Sequence, residues 1–363
     1  MNKDRIEAIT GLRGFAALLV VYAHFAEKGW QLPDPHFPGE VGVMIFFSLS
    51  GFLISYLYLG KSFSRTQIVD YIVARVARIA PAYLVIVLAS FIIYSWFNPD
   101  FVYAISSHNI ARHLFFSGNV SVFWSIAPEV QFYAVFLLIW AMKDRATNGA
   151  GIAGLLLLAL LCVTLMANRD VFPGTFVGNK LHYFLFGVIA GQIRTRVSDT
   201  NQDQFALSVM QGFLIALMFA VELGWIAFPY QFKGDFYTSL PSAFLSALFV
   251  LSFSLSTPVA AWLFENRFMK FCGECSFSIY LLNMPIIYLF RPRTHQPLDY
   301  VLLTTAGFVT ILLVSWANFH FVEKRGARYI RALGKRFSQS WLPVNPSHSE
   351  TNLPAIANRA EGF

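Results

Sequence analysis

Long apolar stretches alternate with short polar connections along almost the whole chain. A helix needs about 20 mostly apolar residues to cross the ~30 Å hydrocarbon core of a bilayer. Ten stretches approach that length, near 9–27, 40–60, 78–98, 121–142, 150–168, 176–193, 205–228, 236–256, 276–291 and 298–322. Leu, Phe, Ile, Val and Ala run through them nearly unbroken, whereas strands of a membrane barrel would alternate apolar and polar over about 10 residues. The pattern predicts an all-α, polytopic integral membrane protein, a bundle of about ten transmembrane helices. Past residue 322 the character changes. Residues 323–340 read as a basic amphipathic helix disposed to lie along anionic headgroups, and 343–363, rich in Pro, Asn and Ser, read as disordered. The division is a transmembrane domain over 1–328 and a tail over 329–363. No internal repeat of the kind many transporters carry is visible.

Composition closes the other routes. Hydrophobic residues make up 56% of the 363, charged residues only 13%, and 38 residues are Phe. So few charges could not cover so much apolar surface in a soluble fold, and so apolar a chain is not disordered. Three cysteines cannot staple a secreted scaffold. The net charge of +7 gains its meaning from location rather than from nucleic acid, which is not an expected partner. With the N-terminus inside, 20 of the 27 Lys and Arg residues fall on the inner side, among them Lys61, Arg65, Lys143, Arg145, Arg194, Arg196, Arg267, Lys270 and seven in the tail. The positive-inside rule then places both termini in the cytoplasm. The N-terminal stretch reads as an uncleaved first helix, since no small-x-small cleavage site follows it.

Polar residues inside apolar spans are costly, about 2.5–3.5 kcal/mol for a charge at the helix centre on insertion scales, so each asks for a reason. On the first helix Arg13 and His24 are eleven residues apart. At ~100° per residue they share one face, about 16 Å apart along the axis. The competing reading is two interfacial side chains, one snorkelling. The second stretch carries Phe46–Ile54, in which Ser48, Ser50 and Gly51 form a small polar strip suited to close helix packing. Arg75 and Arg78 share a face before Pro81. Paired guanidiniums suit a phosphate or diphosphate, though they also serve as inner-side flanking charges. In Trp124–Tyr133 (WSIAPEVQFY), Glu129 lies inside the fourth stretch and needs a partner. His24, at similar depth, is the expected one, and an imidazole–carboxylate pair activates hydroxyls. A proton relay and a structural clamp are the alternatives. Lys180 and His182 open the sixth stretch and face the outer side. Cys272 and Cys275, a lone C-G-E-C, read as structural, and no metal site is expected. Walker, GxGxxG and GxSxG motifs are absent from the sequence.

Taken in order, these motifs resemble the membrane-bound acyltransferase-3 family over nearly all of residues 5–328. RIEAITGLRGFAALLVVYAHF is similar to its first helix, with the basic residue and His falling on Arg13 and His24. GVMIFFSLSGFLI resembles the second-helix motif, Arg75 and Arg78 the R-x-x-R pair, and WSIAPEVQFY the W-S-x-x-x-E-x-x-F-Y motif. Two departures stand out. SFSIYLLNMPI carries Asn283 where the family commonly has His, and Asn cannot titrate. VEKRGAR keeps Glu323 and Arg328 but has Arg325 in place of Pro. The tail is too short for the fused esterase-like domain of some members.

The resemblance implies a multi-pass protein of the bacterial cytoplasmic membrane that moves an acyl group, by default acetyl, from cytoplasmic acyl-CoA to a hydroxyl. The acceptor would be a carbohydrate or a similar small molecule, met near the outer face. Acyl-CoA is then a co-substrate, with no tightly bound cofactor. Arg75 and Arg78, with Arg13, would hold its phosphates. His24, supported by Glu129, would be the base, and Ser50, Trp124, Tyr133 and Asn283 would line or orient the site. The rival reading is a transporter or exporter of envelope glycans or small solutes.

Overall fold

The computed structural model describes residues 6–27, 38–146, 149–197, 203–222, 225, 233–290 and 297–341. In chain order the helices are α1 (Glu7–Glu27), α2 (Pro38–Tyr58), α3 (Arg65–Ile92), α4 (Ile110–Leu114), α5 (Ile126–Arg145), α6 (Gly149–Ala167), α7 (Val177–Arg196) and α8 (Gln204–Glu222). They continue with α9 (Lys233–Thr238), α10 (Leu240–Phe253), α11 (Pro258–Phe264), α12 (Arg267–Glu274), α13 (Ser276–Leu289), α14 (Pro297–Asn318) and α15 (Lys324–Trp341). Among the described residues there is no strand. The all-helical class read from the sequence is the one the chain adopts.

Each of the ten apolar stretches carries a helix, but by length and hydropathy the described residues supply fewer full spans. Five helical runs are long and apolar enough to cross a membrane: Glu7–Glu27, Gly39–Tyr58, Arg65–Phe97, Ser121–Arg145 and Tyr300–Ser338. Leu240–Phe253 and Pro258–Phe264, bent by 102°, make a sixth if they form one broken span. The break has a local cause. Ser254 ends the first helix, and Thr257 caps the second by accepting from Ala260 N at 3.0 Å, with Pro258 starting it. Three apolar helices are shorter, and in the unbroken helix α7 the apolar run is interrupted by Asn179, Lys180 and His182 in the first turns.

Outward-facing α6 shows what surrounds the bundle. Leu156, Leu157, Leu160 and Leu161 are each more than half exposed, an apolar surface that hydrocarbon chains cover and water would not tolerate. Inside, α2 and α7 lie almost in contact at the backbone. A Cβ on Gly51 would come within 2.1 Å of Phe184 O, and one on Gly187 within 2.2 Å of Ser48 O. The small-residue packing expected of Gly51 is therefore realised. Around this contact Phe132 stacks on Phe184 with centroids 4.3 Å apart, in a core built largely of aromatic rings.

Two expectations need correction. The third helix starts at Arg65, not near 78, so Arg75 and Arg78 lie well inside it rather than at its entrance. The basic helix after residue 322 is not free to rest on headgroups by itself. A π-helical turn at Phe319–Glu323 joins α14 to α15, and α15 packs along α3. Gly334 sits where a Cβ would be 2.5 Å from Val73 Cγ2, and Gly326 where one would be 2.5 Å from Pro81 Cβ. The stretch 343–363 lies outside the described residues.

Candidate active site

The helix ends bearing Lys61, Arg65, Lys143, Arg145, Arg194 and Arg196, together with the start of α1, define a basic end of the bundle. Toward it lies a cavity of about 50 Å³ whose lining includes Arg13 from α1, Ser50 from α2, Arg75 and Arg78 from α3, Glu129 from α5 and Ser276 from α13. The eleven-residue spacing does put Arg13 inward: it is 6% exposed and donates from Nη2 to Ser276 Oγ at 2.9 Å. Glu129 Oε1 accepts from Tyr133 OH at 2.7 Å and from Ser50 Oγ at 3.2 Å. Tyr133 reaches it because residues four apart stand over each other on a helix. Arg75 lies against the rings of Tyr133 (5.8 Å) and Tyr58 (6.0 Å), within cation–π range.

A second carboxylate, Glu323, borders this cluster from the π-helical turn. It accepts a short hydrogen bond from Ser278 Oγ, which in turn accepts from Asn318 Nδ2 at 2.7 Å, and it attracts Arg13 and Arg78. Three guanidiniums thus face two carboxylates, leaving a surplus positive charge in a site of low dielectric. Arg13 Nε and Arg75 Nε are buried donors with no hydrogen-bond partner among the described residues. Buried N–H groups are rarely left so, and here they suit an incoming anion.

His24 does not pair with Glu129, which corrects the expected imidazole–carboxylate couple. Glu129 is held by Tyr133 and Ser50 among the arginines, while His24 Nδ1 lies 2.6 Å from Asn283 Oδ1. Asn283 is fully buried, and its Nδ2 donates to Ile279 O (3.0 Å) and Tyr280 O (2.8 Å). Those carbonyls can only accept, so the amide nitrogen must face them and Oδ1 must face the imidazole. An acceptor opposite Nδ1 selects the Nδ1–H tautomer, which in the neutral ring puts the lone pair on Nε2. The surrounding helix is itself tied down. Pro285 has no N–H to give Leu281 O, and Tyr103 OH donates to that carbonyl instead, at 2.8 Å.

Trp124 goes to a third place. Its ring meets Tyr237 edge-on at 5.1 Å, and Lys180 Nζ lies 5.7 Å from the Trp124 centroid and 4.5 Å from that of Tyr237. The nine residues singled out in the sequence therefore divide. Arg13, Ser50, Arg75, Arg78, Glu129 and Tyr133 gather at the cavity, His24 and Asn283 form a pair, and Trp124 stands with Lys180. Ser276, Ser278 and Tyr280, in the SFSIYLLNMPI run, were not singled out. Ser276 holds Arg13, Ser278 holds Glu323, and Tyr280 OH lies 2.6 Å from Ser125 Oγ. The cysteines are free and buried, and no group of three metal-ligating side chains exists among the described residues.

A multi-helix membrane-type bundle with a buried arginine–carboxylate cavity is the class these observations define. Residues 6–319 match the acyltransferase domain family, and the chain belongs to it. It is 24% identical to the peptidoglycan O-acetyltransferase OatA of Listeria monocytogenes over 89% of this chain, but spans only 56% of that protein. It is 26% identical to the putative peptidoglycan O-acetyltransferase YrhL of Bacillus subtilis, covering 88% of this chain and 54% of the relative. The O-acetyl transferase of Shigella phage Sf6 is 24% identical over 85% of this chain and 92% of its own length. No solved structure matches.

Proposed function

We propose that the protein is a membrane O-acyltransferase that moves an acetyl group from cytoplasmic acetyl-CoA to a hydroxyl of an envelope carbohydrate at the outer face. The observation that carries this reading is the division of labour along α1. Arg13 belongs to a cation-rich cavity toward the basic end, and His24, with its tautomer set by Asn283, stands about 16 Å further along the same face. The charge bias of the sequence, with ten spans and both termini cytoplasmic, makes the basic end the inner one. In this scheme Arg13, Arg75 and Arg78 hold the CoA phosphates, with Glu129 and Glu323 spacing the guanidiniums.

The thioester reaches toward His24 through the bundle. Nε2 takes the proton of the acceptor hydroxyl, and the alkoxide oxygen attacks the thioester carbonyl. The C–S bond then breaks, and the proton passes from the imidazolium to the departing thiolate. An ester and free CoA result. Asn283, neutral throughout, keeps Nδ1–H pointing away from the reaction. Names of the relatives support acetyl as the group and a polysaccharide as the acceptor class, and the family match moves the weight from the exporter reading to transfer.

The test uses membranes expressing the full chain, labelled acetyl-CoA on the cytoplasmic side and native envelope as acceptor. We expect base-labile label in the glycan fraction with wild type and its loss with His24→Ala. Transfer at the wild-type rate by His24→Ala would remove the assigned base.

A further inference from the structure

Lys180 is a buried cation that the transfer scheme above does not use. It is 3% exposed, on the first turns of α7, at the end of the bundle remote from the basic loops. No carboxylate lies within ion-pair distance of it among the described residues, and Asp170 is the acid whose charge it feels. Its hydrogen bond is a short one to Asn179 Oδ1, a neutral acceptor. Asn179 is held so that Oδ1 faces the ammonium, since its Nδ2 donates to Arg169 O (2.8 Å) and Phe172 O (3.0 Å). An ammonium has three donors and is strongly hydrated in water. Here the other sides meet ring faces: Tyr237 at 4.5 Å and Trp124 at 5.7 Å. A buried charge left in that condition is costly, and the arrangement is rational if the positive charge is completed by something that binds.

The neighbours say what class of molecule that is. Trp124 and Tyr237 each keep a minor part of their surface exposed, and aromatic faces are the usual platform for the C–H faces of a sugar ring. Trp124 precedes Ser125, whose Oγ contacts Tyr280 OH, and the Tyr280 carbonyl is one of the two that fix Asn283 against His24. The aromatic platform and the imidazole are thus linked through a few residues of α13. The geometry points to an acceptor subsite for an anionic glycan, its ring on Trp124 and Tyr237 and its carboxylate or phosphate on Lys180. This rests on the transfer reading above, and names the chemistry of the acceptor.

Binding can be measured without any acyl donor, so that its outcome is separate from whether transfer occurs. Detergent-purified full-length protein would be titrated calorimetrically with pairs of sugars differing only in charge. The pairs are a muramic-acid-containing tetrasaccharide and its methyl ester, a trigalacturonate and its methyl ester, and a hexose 1-phosphate and the free hexose. We expect at least one acid to bind tenfold or more tightly than its neutral partner. The carboxylate and phosphate arms show which anion is meant. Lys180→Met should erase the preference while leaving the neutral sugar's affinity unchanged, and Lys180→Arg should keep most of it. Trp124→Leu should weaken acid and neutral forms alike. Equal binding of every acid and its neutral partner by wild type would overturn the subsite, and needs no variant to fold. So would a preference that survives in Lys180→Met.

Discussion

At the scale of single residues, the transfer scheme proposed above turns on which nitrogen of His24 carries the proton. Asn283 decides this through an amide whose own N–H groups are consumed by Ile279 O and Tyr280 O. A leucine there would take a second donor from two carbonyls that keep their helical N–H partners, and would remove the acceptor that faces Nδ1 of His24. We expect Asn283→Leu to lower kcat for acetyl transfer about 10–100-fold with little change in the KM for acetyl-CoA, because the residue positions the base and does not hold the donor. His24→Ala should lose more, about 10²–10⁴-fold, the range for removing a general base. A rise in the acetyl-CoA KM with unchanged kcat in Asn283→Leu would assign it to donor binding. The arginines behave in the opposite sense. Arg75→Met removes a planar cation with an unmet donor, so the KM for acetyl-CoA should rise about tenfold or more while the ordering of acceptors is kept; Arg75→Lys should recover only part, lacking the bidentate fork.

Among elements, helix spacing governs whether these side chains converge. The α2–α7 contact has no room for a side chain at Gly51, since a Cβ would press on Phe184 O at 2.1 Å. Gly51→Val should cost about 1–3 kcal/mol or more by forcing the helices apart, seen as a lower unfolding midpoint in detergent and lost monodispersity. A variant as stable as wild type would mean that α2 and α7 can slide without harm. The α3–α15 pair is a second such case. Its glycines bring a basic helix against the one that carries Arg75 and Arg78. The amphipathic stripe of 323–340 was legible in the sequence, but the partner was not, because a stripe says that something covers it and not what.

For the molecule as a whole, the exposed leucines of α6 call for a bilayer, and the proposed orientation rests on the basic end of the bundle. All three native cysteines are buried, so single introduced cysteines report sidedness with little background. Ser62, in the α2–α3 connection, and Ser117, after α4, are both exposed. In intact cells a membrane-impermeant maleimide should label Ser117→Cys and spare Ser62→Cys until the membrane is opened. The reverse pattern would invert the transfer scheme, placing His24 inside and the arginine cavity outside.

Local sequence by itself determined the helical class, the apolar stretches within which the helices lie, though not where the third begins, and the residues whose burial demanded explanation. Hydropathy and helical period act over one or two turns and need no partner to be read. Arg13, Arg75, Arg78 and Glu129 could be singled out because a charge in an apolar run is expensive wherever the run packs. Tertiary structure alone decided who meets whom. Depth along a span cannot tell which helix stands opposite, so His24 and Glu129, expected together, went to Asn283 and to Tyr133 and Ser50. The same limit hid Lys180 among its rings, for a lone lysine near a helix end looks ordinary until two aromatic side chains distant in the chain are folded against it.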